Sequence, residues 1–318
     1  MSNNDKIKKG MIESIIVISI MVSYIVYGFN SLPLLMLLIP VPFVVLGVRN
    51  GINTNIFSIV ISSLIVSILI GAASGVSLLL LFAPITIAIN YCIKTRRTTM
   101  ETILISTALL FISFLVLMFL EGKSSGLNVI KQIEDSLNQI MTMQIDFLKE
   151  MGMTNYQLLK ITDELESRYK SIIVLIPSLL AVFSLSVSYI NLFLSSVILR
   201  GMGFGITSKQ KFSKFKLPNN IVPGIGIMFL SGFIFKKMGM GYNDAFLFNL
   251  TFLTGFVFFI QGLAVIDFLL LKKKMKLFYR VLILSINIIF VPMSSILMLI
   301  GLLDTVFDLR KLRGQKSL

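Results

Sequence analysis

The chain has no histidine, no tryptophan and a single cysteine, Cys92, in 318 residues. These absences exclude a disulfide framework, Cys/His zinc sites, and triads or proton relays built on imidazole. Charge is also scarce, with 14% of residues charged and only 15 of them acidic. No pair of carboxylates stands within an apolar run to act as general acid and base. There is no Gly-x4-Gly-Lys-Ser/Thr phosphate loop and no Gly-x-Ser-x-Gly elbow. The expectation is a noncatalytic protein with no metal site and no cofactor.

What is abundant is apolar. Hydrophobic residues make up 56% of the chain, and the mean hydropathy is +0.91. No soluble fold of this size has an interior large enough to hide so much apolar side chain, so most of it must face lipid or other buried helices. The fold class is therefore all-α, a polytopic transmembrane bundle whose first partner is the lipid bilayer. The 29 Lys and Arg give a formal charge of +14. In a membrane protein such an excess collects in cytoplasmic loops, and it does not point to a nucleic-acid partner.

Nine apolar runs are candidate membrane segments: Met11 to Phe29, Leu32 to Val48, Ile56 to Ile70, Val76 to Ile93, Ile103 to Leu120, Ile172 to Leu199, Ile221 to Phe235, Ala245 to Leu271 and Val281 to Leu303. The first follows Lys6, Lys8 and Lys9 like the core of a signal peptide. It is long, carries Glu13 and lacks a small-residue cleavage pattern, so it reads as an uncleaved span. Pro33, Pro40 and Pro42 interrupt the second, which a membrane helix tolerates only where neighbours satisfy the freed carbonyls. That segment is expected to be irregular and packed inside.

Residues 121 to 170 differ, with six basic and eight acidic residues and no run long enough to cross. Ile130, Ile133, Leu137, Ile140, Met141, Leu148 and Met151 recur at helical spacing, Gly152 ends that helix, and Thr154 with Gln157 forms a capping-box pattern opening a second. The insert reads as an amphipathic helical hairpin running into the next span. The chain thus divides into 1–120 (five spans), 121–170 (the hairpin) and 171–318 (the remaining spans with basic loops).

With the amino terminus cytoplasmic, the basic clusters at 94–97, 200–216 and 272–280 fall inside and the hairpin falls outside. A ninth full crossing would export Arg310, Lys311, Arg313 and Lys316. If the last segment folds back at Pro292, eight cross and the tail stays inside. The expected location is a cell membrane.

Polar residues within lipid are functional candidates because they are costly there. Glu13, Asn90, Asn191, Asn249, Gln261, Asp267 and Asn287 are in this class. Asp267 stands about one turn from Lys272 to Lys274, which suits an ion pair or interfacial snorkelling. Interhelical hydrogen bonding is the commoner use of Gln261 and Asn90, and charge anchoring the commoner use of Arg49 beside Asn50 and Asn53. The ligand-binding candidates are Arg49, Asn90, Asn191 and Gln261. Ser19 and Ser23, Ser58 and Ser62, Ser63 and Ser67, and Ser184 and Ser188 stand four apart, a spacing that lets helices pack closely. Gly201-Met202-Gly203-Phe204-Gly205, beside Ser208 and Lys209, offers a glycine cradle for an anion or, more ordinarily, a turn.

Several stretches together resemble the YybS-like family of predicted membrane proteins of Firmicutes. They are Glu150-Met151-Gly152-Met153, Ile176-Pro177-Ser178-Leu179-Leu180, Phe215-Lys216-Leu217-Pro218, Gln261-Gly262-Leu263-Ala264-Val265-Ile266-Asp267, and Gly301-Leu302-Leu303-Asp304 through Asp308, Arg310 and Lys311. The resemblance implies one integral membrane domain, distantly similar to the substrate-capture subunits of energy-coupling-factor transporters. Those have six helices, a buried cavity facing outward and no ATPase of their own. The implied partners are a coupling subunit and ATPases. The Ala-xxx-Ala docking pattern of that class is approximated here only by Ser19 and Ser23, and no binding residue carries over. The leading expectation is a small-solute binding or transport-related protein. The alternative is a noncatalytic scaffold that holds envelope or sporulation proteins.

Overall fold

In the computed structural model, residues 3–125, 129–205, 212–218, 220–239 and 243–312 are described. Among them the chain is all-helical, with eleven α-helices and no strand. Lys209, Lys211, Ser208, Arg313 and Lys316 lie outside these residues.

The helices are α1 (Asn3–Ser23), α2 (Pro40–Asn50), α3 (Ile52–Leu69), α4 (Ala72–Lys94), α5 (Thr99–Ser125), α6 (Val129–Glu150), α7 (Asn155–Gly201), α8 (Ile221–Lys237), α9 (Asn243–Lys272), α10 (Leu277–Ile289) and α11 (Val291–Phe307). Among the described residues, seven helical stretches are long and apolar enough to cross a membrane. α8 has 17 residues, and α10 and α11 make a pair bent by 112°. Only 22% of the α5 span is buried, and Leu104, Ile112, Leu115 and Phe119 on it are exposed. Side chains this apolar are stable outside the core against lipid or another apolar surface, and not against water.

Two compact units form. The first comprises Met1–Tyr169 and Leu179–Ser208, the second Lys170–Ser178 and Lys209–Leu318. The first therefore gathers α1 to α6 with both ends of α7. Its core has two clusters, one built on Ile18, Phe43, Ile59 and Phe82. The other joins Val44 of α2, Ile85 and Ile89 of α4, and Leu110 of α5 to Val187 and Leu192 of α7. Proline shapes the approach to α2. Pro33 opens a 3-10 turn over Pro33–Leu38, and Pro40 stands in the first turn of α2, where a missing N–H costs no helix bond. Gly51, at φ 104°, makes the turn from α2 into α3.

The insert is the expected hairpin. α6 has no buried residue, and Gly152 at φ 79° ends it. Thr154 and Gln157 complete a capping box in which the Thr154 side chain accepts from the Gln157 N–H and the Gln157 side chain accepts from the Thr154 N–H. The Tyr169 hydroxyl reaches Gln144 Oε1 at 3.2 Å, tying α7 to α6. α7 has 47 residues, about 70 Å at 1.5 Å per residue, more than twice the depth of the hydrocarbon core.

In the second unit α9 and α11 pack backbone to backbone. A Cβ at Gly262 would collide with the Leu297 carbonyl, and one at Gly301 with the Phe258 carbonyl. Small residues at these two positions are what permit the approach.

Candidate functional site

At one end of the first unit, the Glu13 carboxylate of α1 meets the end of α2. Arg49 donates to Glu13 Oε1 at 2.7 Å and Asn50 donates to Oε2 at 2.7 Å. Both charged side chains are largely buried, with 27% of Arg49 and 19% of Glu13 exposed. Each carboxylate oxygen has a donor, which is how an acid persists beside lipid. Arg49 is thus a partner of Glu13 in the first instance.

The next polar cluster lies deeper. Gly47 of α2 comes so near α3 and α4 that a Cβ there would sit 2.5 Å from Asn90 Nδ2 and 2.8 Å from Asn55 Cβ. Asn55 is 0% exposed and Asn90 is 3% exposed. Among the described residues, the amide nitrogen and oxygen of both side chains have no hydrogen-bond partner, and neither has Ser58 Oγ. Asn55, Ser58 and Ser62 recur at helical spacing and are all fully buried, so one face of α3 is polar inside the bundle. Ser62 Oγ donates to the Ser58 backbone carbonyl and not to its hydroxyl, which has no partner among the described residues. An unmet buried amide costs about 1–3 kcal/mol per group. Two together, beside a glycine that admits no Cβ, make a buried polar surface where α2, α3 and α4 meet.

Asn191 is used differently. Its Nδ2 donates to the Leu37 carbonyl and to the Val187 carbonyl, both at 2.8 Å. Leu37 lies in the proline-flanked turn before α2, so Asn191 is the polar neighbour that such a segment requires. Among the described residues its Oδ1 has no partner, nor do the hydroxyls of Ser184, Ser188 and Ser195, which share its buried α7 stripe.

In the second unit, Gln261 donates to Asp304 Oδ2 at 2.7 Å. Arg310 closes on the same oxygen through Nε at 3.1 Å and Nη2 at 2.8 Å, while its backbone N–H reaches Asp304 Oδ1 at 3.2 Å. The remaining guanidinium donors take the Ser213 carbonyl at 2.8 Å and the Phe215 carbonyl at 2.7 Å. Asp308 ends α11 in the left-handed region at φ 48°, and the chain after it returns to Asp304. Three of the stretches that carried the family resemblance, around Phe215, Gln261 and Asp304 to Arg310, meet here. The arrangement is a buried strut, since each charge is paired and nearly every donor is used.

Asp267 pairs with Arg280 through Nε at 2.8 Å and Nη2 at 2.6 Å, and not with the lysines at 272 to 274 that its spacing suggested. Asn249 holds α9 to the α7 segment in this unit, accepting from Ser178 Oγ at 2.6 Å and donating to the Val174 carbonyl at 2.8 Å.

The glycine-rich run after α7 is a helix end. The N–H groups of Met202, Gly203 and Phe204 bond the carbonyls of Ile198, Leu199 and Arg200, so they are spent and lie at the negative pole of the helix. That leaves no anion cradle at Met202 to Phe204.

Of the four candidates, Arg49, Asn90 and Asn191 fall in the first unit and Gln261 in the second. Asn90 alone keeps its whole amide unspent. Asn55 was hidden from sequence reading because it sits among other polar residues at a turn. Its three-residue step to Ser58 and seven-residue step to Ser62 was the signal.

Comparison with curated proteins and with solved structures gives no match. Residues 14–305 match the family described as "Predicted membrane protein (DUF2232)", and the chain, with its stacked apolar helices, belongs to that family.

Proposed function

We propose that the first unit binds a small polar solute at the Asn55–Asn90 cluster, and that the protein is a noncatalytic, transport-related subunit resembling the capture subunits of energy-coupling-factor transporters. The observation that carries this reading is the pair of buried carboxamides with all four polar atoms unpartnered among the described residues. In a stable bundle such groups are met by something, and the described residues do not supply it. Each carboxamide offers donors and an acceptor and neither is charged, so the group that enters is uncharged and presents donor and acceptor side by side, as an amide or lactam does. The gathering of five whole membrane spans and the larger part of a sixth, α7, in the first unit supports the likeness, since six is the number the resemblance implies.

In this reading the protein sits in a cell membrane with its amino terminus cytoplasmic and residues 121–170 outside. Energy, where used, comes from a coupling subunit and paired ATPases. The family within which the chain falls is taken to be the YybS-like group of Firmicutes.

The test is mass spectrometry on the protein purified from its native membrane in mild detergent, reading small molecules and co-purifying proteins together. A stoichiometric metabolite, or a coupling subunit with ATPases, is the expected result. Envelope or division proteins with no small molecule would instead support a scaffold. One observation favours that second reading: the hairpin exposes Ile140, Met143 and Phe147 on α6 and Tyr156 and Leu159 on α7. Deleting 122–169 would abolish partner capture by a scaffold and leave solute retention intact in a capture protein.

A further inference from the structure

A groove between α1 and α3 in the first unit has a volume of about 1240 Å³. That exceeds the range of about 300–1,000 Å³ typical of pockets for small ligands. Its lining changes along its length, from Lys9, Arg49 and Asn53 at one end to Ile18, Ile61 and Ile65 further along. On α3 the climb from Asn53 to Ile65 is about 18 Å at 1.5 Å per residue. One leaflet of the hydrocarbon core is about 15 Å deep, half of about 30 Å. The groove is therefore as long as one leaflet and its headgroup level. It is too long for a small solute and too short for a crossing helix.

Charge gives the sign of the head. Both Glu13 oxygens already accept a hydrogen bond, one from Arg49 and one from Asn50, so the only acid in the lining is neutralised and Lys9 stands as the excess charge. Arg49 spends Nη2 on Glu13, one of roughly five N–H donors on a guanidinium. A basic pocket between membrane helices with an apolar continuation is the chemistry that holds an anionic lipid headgroup.

We propose that this groove binds one anionic phospholipid, with its phosphate at Lys9, Arg49 and Asn53 and an acyl chain laid along Ile18, Ile61 and Ile65. The site is separate from the solute cluster, because Asn55 points into the bundle while Asn53 lines the groove.

The full-length protein in detergent is titrated with phosphatidylglycerol, with phosphatidylcholine and with inorganic phosphate, and its thermal midpoint is followed. Phosphatidylglycerol is expected to raise the midpoint saturably, and the other two to leave it unmoved. Lys9→Gln should weaken the apparent phosphatidylglycerol affinity about fivefold, since a basic residue near a lipid surface contributes about 1 kcal/mol. Ile61→Trp, which fills the apolar stretch, should abolish the shift. If that variant does not assemble, Lys9→Gln decides alone, because Lys9 is exposed near the start of α1. Equal response to phosphatidylcholine, a full response to inorganic phosphate, or an unchanged affinity in Lys9→Gln would each overturn the proposal. None of these readouts involves Asn55 or Asn90, so failure here leaves the solute reading untouched, and the converse holds too.

Discussion

At the scale of single residues, the polar groups inside this protein sort by whether their hydrogen-bonding capacity is spent. Arg310 and Asp304 are 6% and 3% exposed and engage each other and their neighbours through nearly every donor. Arg310→Ala would leave a buried carboxylate facing only neutral donors, Gln261 and the backbone N–H at 310, and the expected cost is about 3–5 kcal/mol, read as a lower thermal midpoint of the purified protein. Asn191→Ala removes one donor to Leu37 and should cost about 1 kcal/mol by the same measurement. The difference between the two substitutions is the informative quantity. Sequence reading found Asn90, Asn191 and Gln261 because an amide within an apolar run stands out. It did not find that Gln261 is spent on Asp304, or that Asp267 answers to Arg280, because those partners lie 43 and 13 positions away. Only the tertiary fold brings them together.

At the scale of elements, local chemistry was legible and helix pairing was not. The Thr154 and Gln157 cap, the Gly152 stop and the prolines before α2 act within a few residues, and each is found where its spacing placed it. Thr154→Ala should loosen the first turn of α7 by about 1 kcal/mol, visible as faster amide exchange at Gln157 and Leu158 with the spans unaffected. The break between α10 and α11 likewise coincides with the proline that suggested a fold-back. The close approach of α9 and α11 had no such local signature, since Gly262 and Gly301 are two of 21 glycines. Gly262→Leu would drive a side chain into the Leu297 carbonyl. The expected outcome is loss of the monodisperse peak in detergent, whereas Gly224→Leu, with open space around it, should leave that peak in place.

For the whole molecule, composition alone established a multi-pass helical membrane protein, because nothing soluble could hide so much apolar surface. The grouping into units was harder to read, since a helix of 47 residues offers no break to show that its segment from Leu179 onward packs with α1 to α5. If the α10–α11 pair folds back, a cysteine introduced at Gln315 should resist an impermeant label applied from outside intact cells and react after permeabilisation. The background is low because Cys92 is buried.

In the proposed reading Asn55 and Asn90 meet a polar guest. Its most direct test is native mass spectrometry of the wild-type protein beside Asn90→Leu, both released gently from membranes. The expected result is a small molecule bound at close to one per chain in the wild type and absent from the variant. A wild type without bound small molecule, together with an Asn90→Leu variant of equal or higher thermal stability, would mean that the amides are merely unmet and would contradict it.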